Sequence, residues 1–448
     1  MKDKVSLKQK LGFGSGEFAS SIFFTVTSFW LMNFLTDNVG LAAGLAGSAL
    51  LIGKIWDSAI DPFIGYASDR TKTRWGRRRP YFLFFAIPVG VAFVLMFNNP
   101  HIASQDGKFW WALLMYMFFS MVYSFTNIPY NALLPDISKD YDERTNISGY
   151  KQFFAVIGTL VGAGAAIPLM SLFKNKDAGF VGMAAIFGLL ATVSILMPFF
   201  TVKEKPVPAN QKFESAWKSL KDVFTNMPFL LMLGSWITNT TGVAIIESML
   251  IYYYKYVFNA ENQVTLAMLI LLVVTMAFIP VWIWVSKRIG KRLTYIIGMS
   301  ITSIAVVAFS FLAPKLGIWP SLGIMVFAGI GFSTHYVMPF AIVPDSIEYG
   351  YSRTGVRREG FYYSFWTFFI SIGGALAGFI VGKGLEITGY VANTVQSPQA
   401  ITGIQWLIGP IPVILFILGN LCLAFYPINK IRYEEIQAKI KTMEDSSV

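Results

Sequence analysis

Charged residues are scarce in this sequence of 448 residues, and their scarcity excludes most soluble folds. They make up 14% of the chain, against about a quarter in a typical soluble globular protein, while 55% of the residues are hydrophobic. Too little charge remains to cover a water-facing surface. The positive excess of +11 lies in short clusters between apolar runs and not along one face, so we expect no nucleic-acid partner.

Cysteine and histidine are also nearly absent, with one cysteine and two histidines in the chain. A lone Cys422 excludes an intrachain disulfide framework, and we expect no zinc or iron centre from so few ligands. The sequence contains no nucleophile elbow, no P-loop and no HExxH motif. We therefore expect neither an enzyme nor an ATP-driven pump, and no cofactor.

Long uncharged runs, such as 81–98, 178–200 and 268–285, dominate the chain. About 18 residues of helix reach across a hydrocarbon layer of roughly 30 Å, so each run predicts a transmembrane helix. The apolar segment nearest the start of the chain, at 11–35, contains Glu17 and lacks a small-residue cleavage site. We interpret it as a retained helix and not as a signal peptide. Twelve helices are predicted, at 11–35, 41–68, 80–98, 108–134, 149–173, 178–200, 226–256, 263–285, 292–313, 316–343, 359–387 and 401–427.

Lysine and arginine cluster after helices two, six and eight, whereas the connections after helices one and eleven are nearly free of them. By the positive-inside rule both termini are cytoplasmic, which fits a bacterial inner membrane protein with an even number of helices. The longest polar connection lies near the middle of the chain. The two halves also share a pattern, in which Pro-Asp is followed by an arginine nine positions after the proline, from Pro135 to Arg144 and from Pro344 to Arg353. We therefore expect a six-helix bundle at 1–200, a cytoplasmic linker at 201–225, a second bundle at 226–427 and a cytoplasmic tail at 428–448.

Helix two carries the strongest local signal, Lys54-Ile-Trp-Asp57-Ser-Ala-Ile-Asp61-Pro. The two carboxylates are four positions apart and share one helical face. An ionised side chain in hydrocarbon costs about 3 kcal/mol on insertion scales, so such residues normally face a water-filled cavity. Paired carboxylates either hold a hard cation through their oxygens or repel each other until one takes a proton. Alternatively, Asp57 only pairs with Lys54, which leaves Asp61 uncompensated.

Helices one and four supply further polar groups, with Glu17 on the first and SFTNIPYNALLPD on the second. Asn127 and Asn131 flank Pro129, which loosens the backbone where a helix borders a cavity. These side chains suit sugar hydroxyls or a cation. The alternatives are a headgroup position for Glu17 and hydrogen bonds between helices for the asparagines.

The loop after helix two, GYASDRTKTRWGRRRP, combines an acid with a dense basic cluster. It anchors the topology, and in a carrier its charges can also form ion pairs that hold one access state shut. The expected members of this cytoplasmic gate are Asp69, Arg70, Arg77, Asp136, Arg144, Asp345, Arg353 and Arg358.

Helices ten and eleven contribute His335, Tyr362 and Trp366. The imidazole at membrane depth either relays a proton or bonds a sugar hydroxyl, or it is simply packed against a neighbouring helix. The two aromatic rings are able to stack on a pyranose ring, although packing is their usual role. The tyrosines at 252–254 and 256 are interpreted as an interfacial aromatic belt.

Several segments together resemble the glycoside–pentoside–hexuronide:cation symporters, the melibiose permease family, along nearly the whole chain. They are KIWDSAIDP with SDRTKTRWGRRRPY, GEFASSI, TDNVG, NIPYNALLPDIS, REGFYYSFWTFF and ITGIQWLIGPIPVI. The resemblance implies an all-α membrane protein of the major facilitator fold, with a substrate cavity between two six-helix halves. It also implies a cation site that includes Asp57, Asp61 and Ser124, and sugar contacts from Glu17, Asn127 and helix eleven.

The sequence departs from the melibiose branch at positions that this branch uses. Ile60 replaces an asparagine that helps to bind sodium, which favours protons over sodium as the coupling ion. Asn127, Asn131, Gln152 and Ser371 replace residues with which that branch binds sugar, so melibiose is not the expected substrate. The substrate-binding residues that we expect are Glu17, Lys54, Asn127, Asn131, Gln152, His335, Tyr362, Trp366 and Ser371.

The sequence thus predicts a secondary transporter that carries a sugar, glycoside or oligosaccharide together with H⁺ or Na⁺ by alternating access. Its partners would be the sugar, the coupling cation and membrane lipids, and one chain would suffice. A lysolipid or amphiphile transporter of the same fold is an alternative, which the polar residues of helix four argue against. A membrane sugar sensor is a more remote one.

Overall fold

The computed structural model describes residues 5–71, 73–137, 141–202, 216–356 and 359–445, and helix is the regular secondary structure of these residues. The first helices are α1 (Leu7–Val26), α2 (Ala43–Arg70), α3 (Arg79–Met96), α4 (Gln105–Ile137), α5 (Tyr141–Ser171) and α6 (Lys176–Thr201). They are followed by α7 (Ala216–Thr225), α8 (Met227–Tyr252), α9 (Val264–Ile289), α10 (Lys291–Phe311), α11 (Ala313–Leu316) and α12 (Ile318–Thr354). The last are α13 (Glu359–Ile387), α14 (Pro398–Ile408), α15 (Pro410–Ala424) and α16 (Lys430–Asp445).

Each of the twelve predicted segments is helical, although some boundaries differ from the prediction. The predicted helix at 316–343 continues to Thr354 as α12, and the last one is interrupted at Gly409, between α14 and α15. In the part of the chain that the structure describes, ten helices are long and apolar enough to cross a membrane. The all-α membrane architecture is confirmed, while the count of twelve spans stays a prediction.

Helix ends follow local sequence signals. Ser6 and Gln9 form a capping box at the start of α1, and the side chain of Asn226 accepts a hydrogen bond from the first turn of α8. Gly355 ends α12 in the left-handed region, with φ of 68°, where a residue with a Cβ would be strained. Polar and glycine residues at the ends therefore fix where apolar helices begin and stop.

The chain divides into two compact units. The first comprises Met1–Asn210 with Gly378–Ser397, and the second comprises Gln211–Ala377 with Pro398–Val448. In the first unit α1 packs on α5 and α6, α2 on α4, and α3 on α4 and α6. In the second unit α12 packs on α9 and α10, and α15 packs on α8 and α10. The predicted linker lies largely at 203–215, outside the described residues, so the predicted domain boundaries stay a prediction.

The side chain of Tyr130 connects α4 to α1 and helps to position the polar residues of the first unit. A Cβ on Gly16 would lie 2.6 Å from the ring of Tyr130, so glycine is what lets this ring rest directly on α1. The Tyr130 hydroxyl donates a 2.9 Å hydrogen bond to the Phe13 carbonyl, and the two rings stack with centroids 4.8 Å apart. These contacts fix the register between the helices that carry Glu17 and Asn127.

Candidate functional site

The acids of α2 form a charged cluster with Lys54 and with Ser124 of α4. Lys54 Nζ lies 2.6 Å from Asp57 Oδ2, and Ser124 Oγ donates to Asp57 Oδ1 over 3.2 Å. The carboxylate of Asp57, in a residue that is 8% exposed, therefore has a partner on each oxygen. The packing of α2 on α4 allows this geometry because Gly53 leaves room for the ring of Tyr116.

Asp61 is the member of this cluster that lacks full compensation. Its Oδ1 is buried and has no hydrogen-bond partner among the described residues. A buried carboxylate oxygen without a partner is unfavourable unless a proton or a cation neutralises it. Lys54 and Asp57 thus form the pair that the alternative interpretation of the sequence predicted. Asp61 remains as the group that is able to accept a positive charge.

A second polar cluster joins α1, α4 and α5. Lys151 Nζ lies 3.3 Å from Glu17 Oε2 and donates a 2.7 Å hydrogen bond to Asn131 Oδ1. Asn131 Nδ2 in turn donates to Asn127 Oδ1 over 2.7 Å. The ammonium of Lys151 also lies over the ring of Tyr130, 5.3 Å from its centroid. A cation, a carboxylate and two amides therefore form one connected network.

A small cavity adjoins this network inside the first unit, and its lining includes polar side chains. Its lining consists of Gly16, Ser20, Phe82, Tyr123, Thr126, Asn127, Tyr130, Ile195 and Pro198. Tyr123 lies within electrostatic range of Glu17, Lys54 and Asp57, which belong to both charged clusters. The first unit consequently brings the predicted acids, Ser124 and the two asparagines into one polar region.

Lys151 is the functional candidate that sequence reasoning missed. The resemblance pointed to Gln152, whose side chain is exposed, whereas the neighbouring lysine enters the network with Glu17 and Asn131. The available signal was a positive charge inside helix five, at the position directly before Gln152. Ser371, the other position taken from the resemblance, is half-buried on α13 in the second unit.

His335 and Trp366 belong to an aromatic stack in the second unit. Trp236 lies between them, with ring centroids 4.6 Å from His335 and 4.8 Å from Trp366, and both pairs are nearly parallel. His335 Nδ1 lies 3.0 Å from the Tyr295 hydroxyl, which also accepts a hydrogen bond from Asn239. The side chain of Trp366 packs on Trp236 and is 3% exposed. This surrounding fits the packed interpretation of both residues, and their binding roles stay a prediction.

Tyr362 lies one turn before Trp366 on α13 and has a different set of partners. Its hydroxyl accepts a 2.9 Å hydrogen bond from Asn226 Nδ2 and lies 3.4 Å from Asp222 Oδ2. The residue is 1% exposed, so its ring is covered by the protein. These contacts tie α13 to the start of α8.

Two of the predicted gate residues, Asp345 and Arg353, have partners within the second unit. Both carboxylate oxygens of Asp345 lie within 2.8 Å of Lys291 Nζ, which also donates to the Ala341 carbonyl. Arg353 donates to the carbonyl of Thr225 over 2.7 Å. In the first unit, the gate residue Arg70 is exposed and the gate residue Arg77 is half-buried. The side chains of Asp69, Asp136 and Arg144, and the whole of Arg358, lie outside the described residues.

Comparison with known families settles the class of protein. Residues 12–430 match the model of the family described as MFS/sugar transport protein. The chain belongs to this family. The resemblance to the glycoside–pentoside–hexuronide:cation symporters and the major facilitator fold are therefore confirmed, and the protein is an integral membrane transporter and not an enzyme.

Relatives and a solved structure agree with the family. The chain is 31% identical to the isoprimeverose transporter of Lactiplantibacillus pentosus, over 96% of this chain and 90% of the relative. It is 30% identical to a putative glycoside/cation symporter of Escherichia coli (strain K12), over 98% and 95%. A bacterial homologue of the human lysosomal transporter Spinster, 15% identical, has the same fold with a TM-score of 0.68 over 97% of this chain and 99% of its own.

Proposed function

We propose that this protein is a proton-coupled sugar symporter of the bacterial inner membrane, with both termini in the cytoplasm, that works by alternating access. The observation that carries the proposal is Asp61 Oδ1, a buried carboxylate oxygen without a hydrogen-bond partner among the described residues. It lies one turn from the Lys54–Asp57 pair. The names of the relatives, an isoprimeverose transporter and a glycoside/cation symporter, support a sugar and a cation as the cargo.

The cluster favours a proton as the coupling ion over sodium. A hard metal cation needs several oxygen ligands, and here Lys54 and Ser124 already use both oxygens of Asp57. A single proton satisfies Asp61 without displacing either partner. In this proposal Lys54 is a resident counter-charge of the cation site and not a ligand of the sugar.

The network around Lys151 is the proposed sugar site. Sugar hydroxyls both donate and accept hydrogen bonds, and the network offers an acceptor in Glu17, a donor in Lys151 and both kinds in Asn127 and Asn131. Its paired charges also cancel, as do those of Lys54 and Asp57. Asp61 then leaves one negative charge, so one proton and an uncharged sugar, glycoside or oligosaccharide bring the loaded region to neutrality.

We place the cytoplasmic gate at the ends of the helices that carry the Lys291–Asp345 pair and Arg353. Ion pairs of this kind have discrete formed and broken states, so they are able to bias access to one side. Protonation of Asp61 and binding of sugar would favour each other because coupling between two ligands is reciprocal. The whole cycle requires one chain in its lipid surroundings.

Transport by membrane vesicles tests this function. Uptake of a panel of radiolabelled glycosides is measured with a pH gradient and a sodium gradient imposed separately. We expect the pH gradient to drive accumulation by the wild type. Asp61→Asn should lose accumulation and still equilibrate sugar and support counterflow, because the amide imitates the protonated acid.

Glu435→Gln is the matched control for this experiment. Glu435 is an exposed carboxylate on α16 that pairs with Arg432, so its loss should leave accumulation unchanged. Accumulation driven only by sodium would contradict the choice of the proton. If no glycoside accumulates under either gradient, the sugar assignment is wrong and lysolipids or other amphiphiles become the substrates to test.

A further inference from the structure

The C-terminal helix α16 is amphipathic and its inner face is occupied. Tyr433, Ile436, Gln437 and Ile440 recur with helical spacing on one side. Ile436 and Ile440 are 5% and 7% exposed and belong to the hydrophobic core of the second unit. The opposite face carries the charged side chains Arg432, Glu434, Glu435, Lys439 and Lys441. The helix is therefore docked on the unit and does not trail from it.

The polar residues of the inner face meet the charged ends of α10 and α12. Lys291 Nζ lies over the ring of Tyr433, 5.5 Å from its centroid, while it binds both oxygens of Asp345. Gln437 donates a hydrogen bond to the Glu348 carboxylate. Burial and the neighbouring Glu348 carboxylate raise the pKa of Tyr433, so its hydroxyl keeps its proton. One face of α16 thus holds a cation on α10 and an anion on α12.

We infer that α16 clamps the Lys291–Asp345 ion pair, and that Tyr433 is the residue that positions Lys291 for it. The ammonium of Lys291 is held on one side by α12, through the carboxylate of Asp345 and the carbonyl of Ala341, and on the other by the aromatic face of Tyr433. Undocking of α16 removes the aromatic contact and frees Lys291 to leave Asp345. Conversely, breaking the ion pair loosens the attachment of α16, because the coupling is mutual.

The inference deepens the proposed function, since it gives the proposed gate a third component. Opening of the gate would require α16 to loosen at Tyr433. Arg292 contributes to the same anchorage, since its guanidinium donates to the carbonyl of Tyr426 at the start of the connection to α16. The clamp is a contact within the second unit, so it is testable without transport.

A spin label on α16 measures docking directly. Cys422 is the single cysteine, so a Cys422→Ser chain with Ala438→Cys carries one label, at an exposed position of the helix. We expect Tyr433→Leu to raise the mobile fraction of the label about two- to fivefold, which corresponds to the free energy of one cation–π contact. Tyr433→Phe keeps the ring and should restore most of the immobile fraction. Arg432→Ala, on the outer face, is the control and should change nothing.

Combination with Asp345→Asn decides whether Tyr433 acts through the ion pair. We expect Asp345→Asn alone to raise the mobile fraction, and the double variant to exceed the stronger single variant only slightly. Effects of Tyr433→Leu and Asp345→Asn that multiply independently would overturn the clamp. So would a label that Asp345→Asn leaves unchanged. Because the label reports docking without sugar, a wild type that fails to accumulate glycosides would contradict the proposed function and leave this result standing.

Discussion

Lys151 and Asn131 lie on α5 and α4, and the ammonium of the first donates a 2.7 Å hydrogen bond to the side-chain oxygen of the second. The same ammonium lies 3.3 Å from the Glu17 carboxylate of α1. One side chain therefore connects three helices of the first unit at the polar region that we propose binds sugar. Its position makes it the most informative residue to change.

Lys151→Met should weaken sugar binding strongly. Loss of a charged hydrogen-bond donor costs about 1.5–3 kcal/mol, which corresponds to roughly a ten- to hundredfold rise in the apparent KM for uptake. Gln152→Met is the matched control, because this neighbouring side chain is exposed and should leave KM nearly unchanged. Equal effects of the two substitutions on KM would contradict the sugar site that we propose.

The positions of the helices were predictable because hydrocarbon imposes a simple rule. Every backbone polar group must be paired within the membrane, so a long apolar run has to become a helix. The rule does not specify where a helix continues beyond the apolar run. The last turns of α12, from 344 to 354, contain Asp345, Glu348 and Arg353, which no hydropathy argument assigns to a transmembrane helix.

The polar site was predictable in part, since charge inside an apolar run is an unusual signal. It identified Asp57 and Asp61 directly, but it does not specify partners, which depend on how neighbouring helices pack. The pairing of Glu17 with Lys151, over more than a hundred residues of sequence, needed the packing of α1 on α5. The family resemblance pointed to Gln152, the position after Lys151, and therefore did not predict this ion pair.

Aromatic residues were the least predictable part of the sequence. The interfacial belt expected at 252–254 and 256 is wrong for its first three members, because Tyr252, Tyr253 and Tyr254 are each 0% exposed. The Tyr253 hydroxyl donates to the carbonyls of Phe309 and Ser310. A tyrosine suits an interface or a core equally well, as long as its hydroxyl finds a partner, so composition alone does not separate the two.

Lys54 and Asp57 should stabilise the protein by compensating each other's charge, so that removal of one partner costs more stability than removal of both. Lys54→Met leaves Asp57 buried without its ammonium partner, and we expect a loss of about 1–3 kcal/mol in the free energy of unfolding. Asp57→Asn in the same chain should recover much of that loss, since the uncompensated charge is removed. Thermal unfolding in detergent measures both variants. A double variant less stable than Lys54→Met would show that the two residues do not compensate each other.

His335→Phe separates packing from proton relay. The phenyl ring retains the stack on Trp236 but loses the contact with the Tyr295 hydroxyl, which should cost about 1 kcal/mol of stability. If His335 is a packed side chain, the pH profile of uptake should keep its shape, with only the amount of folded protein reduced. A profile that flattens or shifts in His335→Phe would instead assign the proton relay to this residue.

Two glycines of α13 should respond in opposite ways to the same substitution. A Cβ on Gly382 would lie 2.4 Å from the Ala43 carbonyl and 2.8 Å from the Cα of Gly47, both backbone atoms that cannot rotate away. Gly382→Ala should therefore destabilise the protein by about 1–3 kcal/mol.

Gly374 lies on the same helix, and a Cβ there meets nothing within 4 Å in the described structure. Gly374→Ala should be neutral or stabilise the helix by up to about 1 kcal/mol, because alanine has the higher helix propensity. Thermal unfolding of the two variants in detergent, measured side by side, tests the close approach of α13 to α2. If Gly382→Ala is as stable as Gly374→Ala, the two backbones are not in contact at this point, and the end of α13 does not pack on α2 as described.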